Sequence, residues 1–213
     1  MSYDLYVLPS RLATDAESAA RVMQQDLEAG PPTTQPPDDS PVQALISHIV
    51  DSQRRRGIEH ETPEPLRSGT YITASWPDAE QSREIVIPLA ATCGFDVYDP
   101  QENIYIDTEH AVPIAVLHGS LGRLPMLSPQ MLDALVDRLE EPDPFLVIER
   151  DSEVYVQTRA RDEGTFDLEY RDGSSDRHFA TVTDAGSLAG QLWAWVVGGA
   201  ASLSGMTWTK VEL

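Results

Sequence analysis

The sequence contains a single cysteine, Cys93, so no disulfide can form within the chain. Cys93 falls in a Leu- and Ala-rich segment with a helical pattern, which favours a small core residue over a nucleophile. No two histidines have the spacing that brings both imidazoles to one helix face, so we predict that the chain has no structural zinc site. The histidines are His48, His60, His110, His118 and His178.

Motifs that carry catalysis are also lacking. The chain has no Gly-rich phosphate loop, no Gly-x-Ser-x-Gly elbow and no Asp-rich calcium loop. Glu149, Glu153 and Glu169 fall in or beside neighbouring predicted strands, where an acidic catalytic site is one interpretation and a solvated acidic face is the simpler one. We therefore predict no catalytic residue, no bound metal and no cofactor.

Long apolar runs are missing. The longest candidates, Ile85 to Ala91 and Leu192 to Ala201, are too short or too interrupted to span a bilayer. The first ten residues, MSYDLYVLPS, have no basic region ahead of an apolar core, so no secretory signal is expected. These absences predict a soluble, cytoplasmic protein that does not contact membranes.

Basic residues are scarce, with 15 against 35 acidic ones, which gives a formal net charge of −20. The excess is spread along the chain: 19 acids and 7 bases up to residue 110 give −12, and 16 acids and 8 bases after it give −8. Such a field repels nucleic acid and favours a basic protein partner; solubility or salt adaptation is the alternative interpretation. The bases are 14 Arg and one Lys, which indicates GC-rich coding typical of actinobacteria or halophiles.

Residues 1–110 show the pattern strand, helix, helix, strand, helix, strand, strand, which predicts an α+β half of unknown role. Thr14 and Glu17 have the spacing of a capping box that would begin the first helix. Arg54-Arg55-Arg56 ends the second helix, where cations favour the macrodipole; a phosphate site is the weaker alternative. Pro88 is expected to kink the third helix or to end it early.

Residues 111–213 are predicted to form a second α+β half, an antiparallel meander covered by a helix. Ala111 to Pro125 is weakly patterned and is interpreted as the connector. The stretch from Pro144 to Val182 alternates as four short strands, with turns at Asp162-Glu163-Gly164 and Asp172-Gly173. A helical pattern from Asp184 to Val197 follows and supplies the cover on one face of the meander.

The other face of this meander carries polar and charged side chains at alternating positions of two neighbouring strands. A sheet face with no apolar pattern to bury is a natural place for a partner to dock. The predicted partner-binding residues are Tyr155, Gln157, Arg159, Asp167, Glu169 and Arg171.

Several stretches of the last third carry a family resemblance: FLVIERDSEVYVQTRA (Phe145 to Ala160), GTFDLEYRDG (Gly164 to Gly173), HFATVT (His178 to Thr183), the helix through Trp193 and the closing MTWTKVEL. Together they resemble the immunity proteins of bacterial polymorphic toxin systems, in particular an α+β family encoded beside nucleic-acid deaminase toxins. The resemblance implies a cytoplasmic, non-enzymatic protein that binds a cognate toxin and occludes its active site.

The sequence therefore favours a toxin-neutralising immunity protein whose partner is a toxin with a basic surface. A non-enzymatic adaptor or regulatory binding module, linked to a secretion system, is the alternative. An enzyme with an acidic site is the third hypothesis, and a pocket lined by Glu149 and Glu169 would favour it.

Overall fold

The chain divides into two units, residues 1–113 and 114–213, each built on its own antiparallel sheet. The computed structural model describes residues 2–33, 36–37, 39–58, 62–161 and 164–212. His60 and the predicted turn residues Asp162 and Glu163 lie outside these ranges. The predicted boundary after residue 110 lies three residues from the division between the units.

The N-terminal unit has the α+β architecture and the element order that the sequence predicts, with one added strand of two residues. Its sheet has the order β2-β3-β1-β4-β5, and each neighbouring pair is antiparallel. The elements are β1 (Ser2–Pro9), α1 (Ala16–Ala29), α2 (Pro41–Arg56), β2 (Glu64–Pro65), β3 (Thr70–Ser75), α3 (Ala79–Cys93), β4 (Phe95–Asp99) and β5 (Ile104–Ile106).

The prediction for the start of helix α1 is wrong. Helix α1 begins one residue later than predicted, because Asp15 is the N-cap and exchanges hydrogen bonds with Ser18. The carboxylate of Asp15 accepts the backbone N–H of Ser18, a role that the sequence suggested for Thr14.

Of the two outcomes expected at Pro88, a kink or an early end, the early end does not occur: helix α3 continues through the proline to Cys93. The proline costs about 3 kcal/mol in a helix interior. Ile85, Val86 and Ile87 are all buried just before it, and each contributes about 1.5–3 kcal/mol. The apolar burial of the helix therefore outweighs the backbone cost.

The core of the N-terminal unit contains three buried aspartates, and each accepts a hydrogen bond from a tyrosine hydroxyl. Tyr6 donates to Asp26 at 2.8 Å, Tyr105 donates to Asp96 at 2.7 Å, and Tyr3 donates to Asp99. Asp26, Asp96 and Asp99 are at most 2% exposed. Burial, and then the neighbouring carboxylate, raises the pKa of all three hydroxyls well above the usual value for tyrosine.

These tyrosines predict a specific response to alkali. Their folded pKa values are raised, so the neutral hydroxyls contribute stability that is fully present below pH ~10 and is lost as the pH rises above it. In a titration at 295 nm, we expect Tyr3, Tyr6 and Tyr105 to ionise only together with loss of the circular dichroism signal. Ionisation of all seven tyrosines in the folded protein would contradict this assignment.

The C-terminal unit is the predicted antiparallel meander under a helical layer. Its sheet has the order β12-β11-β10-β9-β8-β6-β7. The elements are β6 (Val112–His118), β7 (Gly122–Leu127), α4 (Pro129–Val136), β8 (Phe145–Asp151), β9 (Val154–Ala160), β10 (Thr165–Asp172), β11 (His178–Asp184), α5 (Ala185–Gly198) and β12 (Thr209–Lys210).

The predicted connector from Ala111 to Pro125 is instead the strand pair β6 and β7, which extends the sheet beyond β8. Ile114, Val116 and His118 are buried, whereas Ala115 and Leu117 between them are apolar but not buried. Because both faces of β6 are apolar, the alternation that marks a half-buried strand is hidden in the sequence.

The helical layer covers one face of this sheet. Leu188, Leu192 and Trp195 of α5 are buried, as are Ile148 and Leu168 of the sheet. Helix α4 packs against α5, and the carbonyl of its Leu135 lies 3.1 Å from Nε2 of His118 in β6. Within the described ranges, no helix has both the length and the apolar content needed to cross a membrane.

Candidate protein-binding face

The strand registers bring all six predicted partner-binding residues together on the face of the sheet opposite the helices. In β9 and β10 they form three directly opposed pairs, Tyr155 with Arg171, Gln157 with Glu169, and Arg159 with Asp167. Successive side chains of a strand alternate between faces, and the residues between them, such as Val156 and Leu168, are buried on the helix side. We call this surface the open face.

The open face extends onto strands that the sequence analysis did not include. In register, Phe145, Val147 and Glu149 of β8 lie beside the β9 residues, and His178, Ala180 and Val182 of β11 lie beside the β10 residues. Leu117 and Ala115 of β6 continue the surface next to β8. Val182 is 51% exposed. The period-two pattern of HFATVT is the sequence signal that would have found the β11 residues.

A hydrogen-bonded network fixes the centre of the open face. Gln157 Nε2 donates to Glu169 Oε2 at 2.9 Å, and Nε2 of His178 lies 3.1 Å from the same oxygen. The ring of Tyr155 packs edge-on against the imidazole, with centroids 6.1 Å apart. His178 is buried, and its Nδ1 has no hydrogen-bond partner among the described residues. These contacts link Gln157, Glu169, His178 and Tyr155 into one network.

Two charged residues of the open face have ion-pair partners. Arg171 lies 2.6 Å from Glu153, and Arg161 lies 3.3 Å from Asp167. Both pairs are at least partly exposed, so each contributes about 1 kcal/mol or less to stability. The face carries two arginines and three acidic residues, so the large acidic excess of the chain is not concentrated on it.

A cleft of about 380 Å³ opens on this face. Four of the six predicted residues contribute to it, whereas Tyr155 and Arg171 lie farther along their strands. Its lining consists of Phe145, Val147, Gln157, Thr158, Arg159, Asp167 and Glu169.

The carboxylates considered for an acidic catalytic site do not converge. Glu149 is not part of the cleft lining, and strand β9 lies between it and Glu169. The usual spacing between strands and along a strand places the two Cα atoms about 12 Å from each other. Glu153 is paired with Arg171. Among the described residues, no group of three or more His, Cys, Asp or Glu is arranged to hold a metal ion.

Cys93 at the end of α3 lacks the environment of an activated nucleophile. Its side chain is partly buried, and this burial raises the pKa of the thiol. A reactive cysteine needs the opposite shift, because the thiolate is the nucleophile.

The chain was compared with protein families, with curated proteins and with solved structures. No family matches the chain, and neither the curated proteins nor the solved structures contain a significant match.

Proposed function

We propose that the protein is an immunity protein that neutralises a toxin by binding it through the open face, without turnover. The observation that carries the proposal is the open face itself: a sheet surface that combines one exposed and one half-buried apolar residue with a hydrogen-bonded polar network. Val182 and Phe145 supply apolar contact area, while Gln157, Glu169 and His178 supply directional polar groups. Protein interfaces combine these two kinds of residue.

The charge of the chain supports a basic partner. A net charge of −20 produces a long-range field that speeds the approach of a positively charged protein. Toxins that act on nucleic acid need a basic surface to bind their substrate. The locally balanced open face would then provide specificity at short range, while the field of the whole chain provides the encounter rate.

The family resemblance supports the same reading, because it falls on the segments that build this surface. The segment Phe145 to Ala160 contains β8 and β9, and Gly164 to Gly173 contains β10. An adaptor that binds a basic protein other than a toxin would use the same face, so the partner's activity decides between the two functions.

The proposal is tested by co-expression with the product of a neighbouring toxin-like gene. We expect the protein to restore growth and to co-purify with that product in a one-to-one complex. If the product of the neighbouring gene is harmless to the cell but still forms the complex, the adaptor function is favoured. If that gene product is toxic and the protein neither binds nor neutralises it, the proposal is overturned.

The docking face is tested by Asp167→Lys, which is expected to weaken the complex about tenfold, because the new cation faces Arg159 and repels a basic partner. Asp133→Lys is the matched control: it makes the same charge change at an exposed position of α4 in the helical layer. Equal effects of the two substitutions on the dissociation constant would show that only the net charge matters.

A further inference from the structure

The two sides of the cleft have different chemistry. Phe145 and Val147 of β8 form an apolar side, and Asp167 and Glu169 of β10 form an acidic side. Gln157 and Arg159 of β9 lie between them: Gln157 is held towards Glu169 by its hydrogen bond, and Arg159 lies opposite Asp167. A cleft of about 380 Å³ is at the lower end of the range for small-molecule sites, which suits one inserted side chain.

Glu169 is the acidic residue of the cleft that lacks a permanent counter-charge. Its described partners are the neutral amide of Gln157 and the imidazole of His178, and both contact Oε2. No hydrogen bond within the described part of the chain uses Oε1. Asp167, by contrast, is paired with Arg161 and lies opposite Arg159 in register. The Glu169 side chain is 29% exposed, so a partner has access to it.

We propose that an arginine side chain of the protein partner enters this cleft as an anchor of the interface. Its guanidinium donates to Glu169, and its flat face and aliphatic stem pack on Phe145 and Val147. Arginine fits better than lysine, because the guanidinium is more weakly hydrated, stacks on aromatic rings and presents its donors in a planar fork. The inference rests on the proposed function, since it names the chemistry by which the open face recognises its partner.

The test is a titration of the full-length, ¹⁵N-labelled protein with N-acetyl-arginine methylamide, followed by NMR at about 150 mM salt to screen diffuse attraction. We expect saturable shifts of the backbone amides of Val147, Gln157 and Glu169, with a dissociation constant on the order of 1 mM. The neutral isostere N-acetyl-citrulline methylamide is expected to give no saturable shift.

Variants locate the binding. Glu169→Gln is expected to weaken the binding of the capped arginine at least tenfold. Glu149→Gln, on the same face but outside the cleft, is expected to leave the dissociation constant unchanged. The proposal would be overturned if the capped citrulline bound as tightly as the capped arginine, or if the capped arginine bound the Glu169→Gln variant as tightly as the wild type. Chemical-shift changes spread over acidic residues outside the cleft would also overturn it. Tighter binding of free L-arginine than of the capped form would also overturn it, in favour of a free metabolite.

The outcomes separate this inference from the proposed function. A complex that neutralises the toxin with full affinity in the Glu169→Gln variant keeps the function and rejects the arginine anchor. Specific binding of the capped arginine, with no toxin found as a partner, keeps the cation-binding cleft and rejects the immunity role.

Discussion

Replacing Asp26 by alanine is expected to lower the free energy of unfolding of the N-terminal unit by about 4 kcal/mol. The carboxylate is buried and accepts hydrogen bonds from the hydroxyl of Tyr6 and from both the backbone N–H and the hydroxyl of Ser68. Alanine leaves three donors without this acceptor, and each buried donor without a partner costs about 1–3 kcal/mol. Urea unfolding followed by circular dichroism measures the loss.

Two substitutions control for the chemistry of this site. Asp26→Asn retains the shape of the side chain and one acceptor oxygen, so it should lower the free energy of unfolding by less than Asp26→Ala does. Glu28→Ala in the same helix removes an exposed carboxylate and should change the stability by less than about 0.5 kcal/mol. Equal stability of Asp26→Ala and the wild type would mean that the three hydrogen bonds do not hold α1 to the sheet.

Gly119→Ala is expected to destabilise the C-terminal unit by about 3 kcal/mol, because the added methyl group has no space. Its Cβ would lie 1.8 Å from the carbonyl oxygen of Asp143, far inside van der Waals contact. The backbone cannot easily withdraw, since Gly119 N–H donates to the carbonyl of Phe145 at 2.9 Å. The shift in the urea midpoint measures the effect.

Gly190→Ala is the matched control for this substitution. Gly190 lies inside α5, and a Cβ there would have no neighbour within 4 Å. Alanine at this position should stabilise the unit by about 0.5–1 kcal/mol through helix propensity. A Gly119→Ala protein as stable as the wild type would contradict the close approach of the two segments.

The sequence was sufficient to predict the antiparallel meander and the face on which the six polar residues lie. Both follow from local alternation, since Phe166 and Leu168 mark the buried side and thereby place Asp167 and Glu169 on the other. The pairing of Gln157 with Glu169 then follows from a short connection between two neighbouring strands.

Features set by distant contacts were not predictable in this way. The partners of Asp26 and Asp96 include Tyr6, Ser68 and Tyr105, and nothing local in the sequence links Asp26 to residues 20 and 42 positions away. Strand β6 was hidden because apolar residues occupy both of its faces. The role of His178 in the open face likewise depends on its register opposite Arg171.

The central claim is that the open face binds the protein partner, and site-specific blocking tests it most directly. In a Cys93→Ser background, Val182→Cys and Val197→Cys each provide one thiol for a bulky polyethylene glycol maleimide. Val182 is 51% exposed on the open face, and Val197 is 67% exposed on α5 in the helical layer. The dissociation constant of each labelled protein for the co-expressed partner is the measurement.

We predict that the label at Val182 weakens the complex at least about 100-fold, a change of roughly 2.7 kcal/mol, while the label at Val197 has no effect. Unchanged binding with the label at Val182, or loss of binding with the label at Val197, would contradict the claim that the partner docks on the open face.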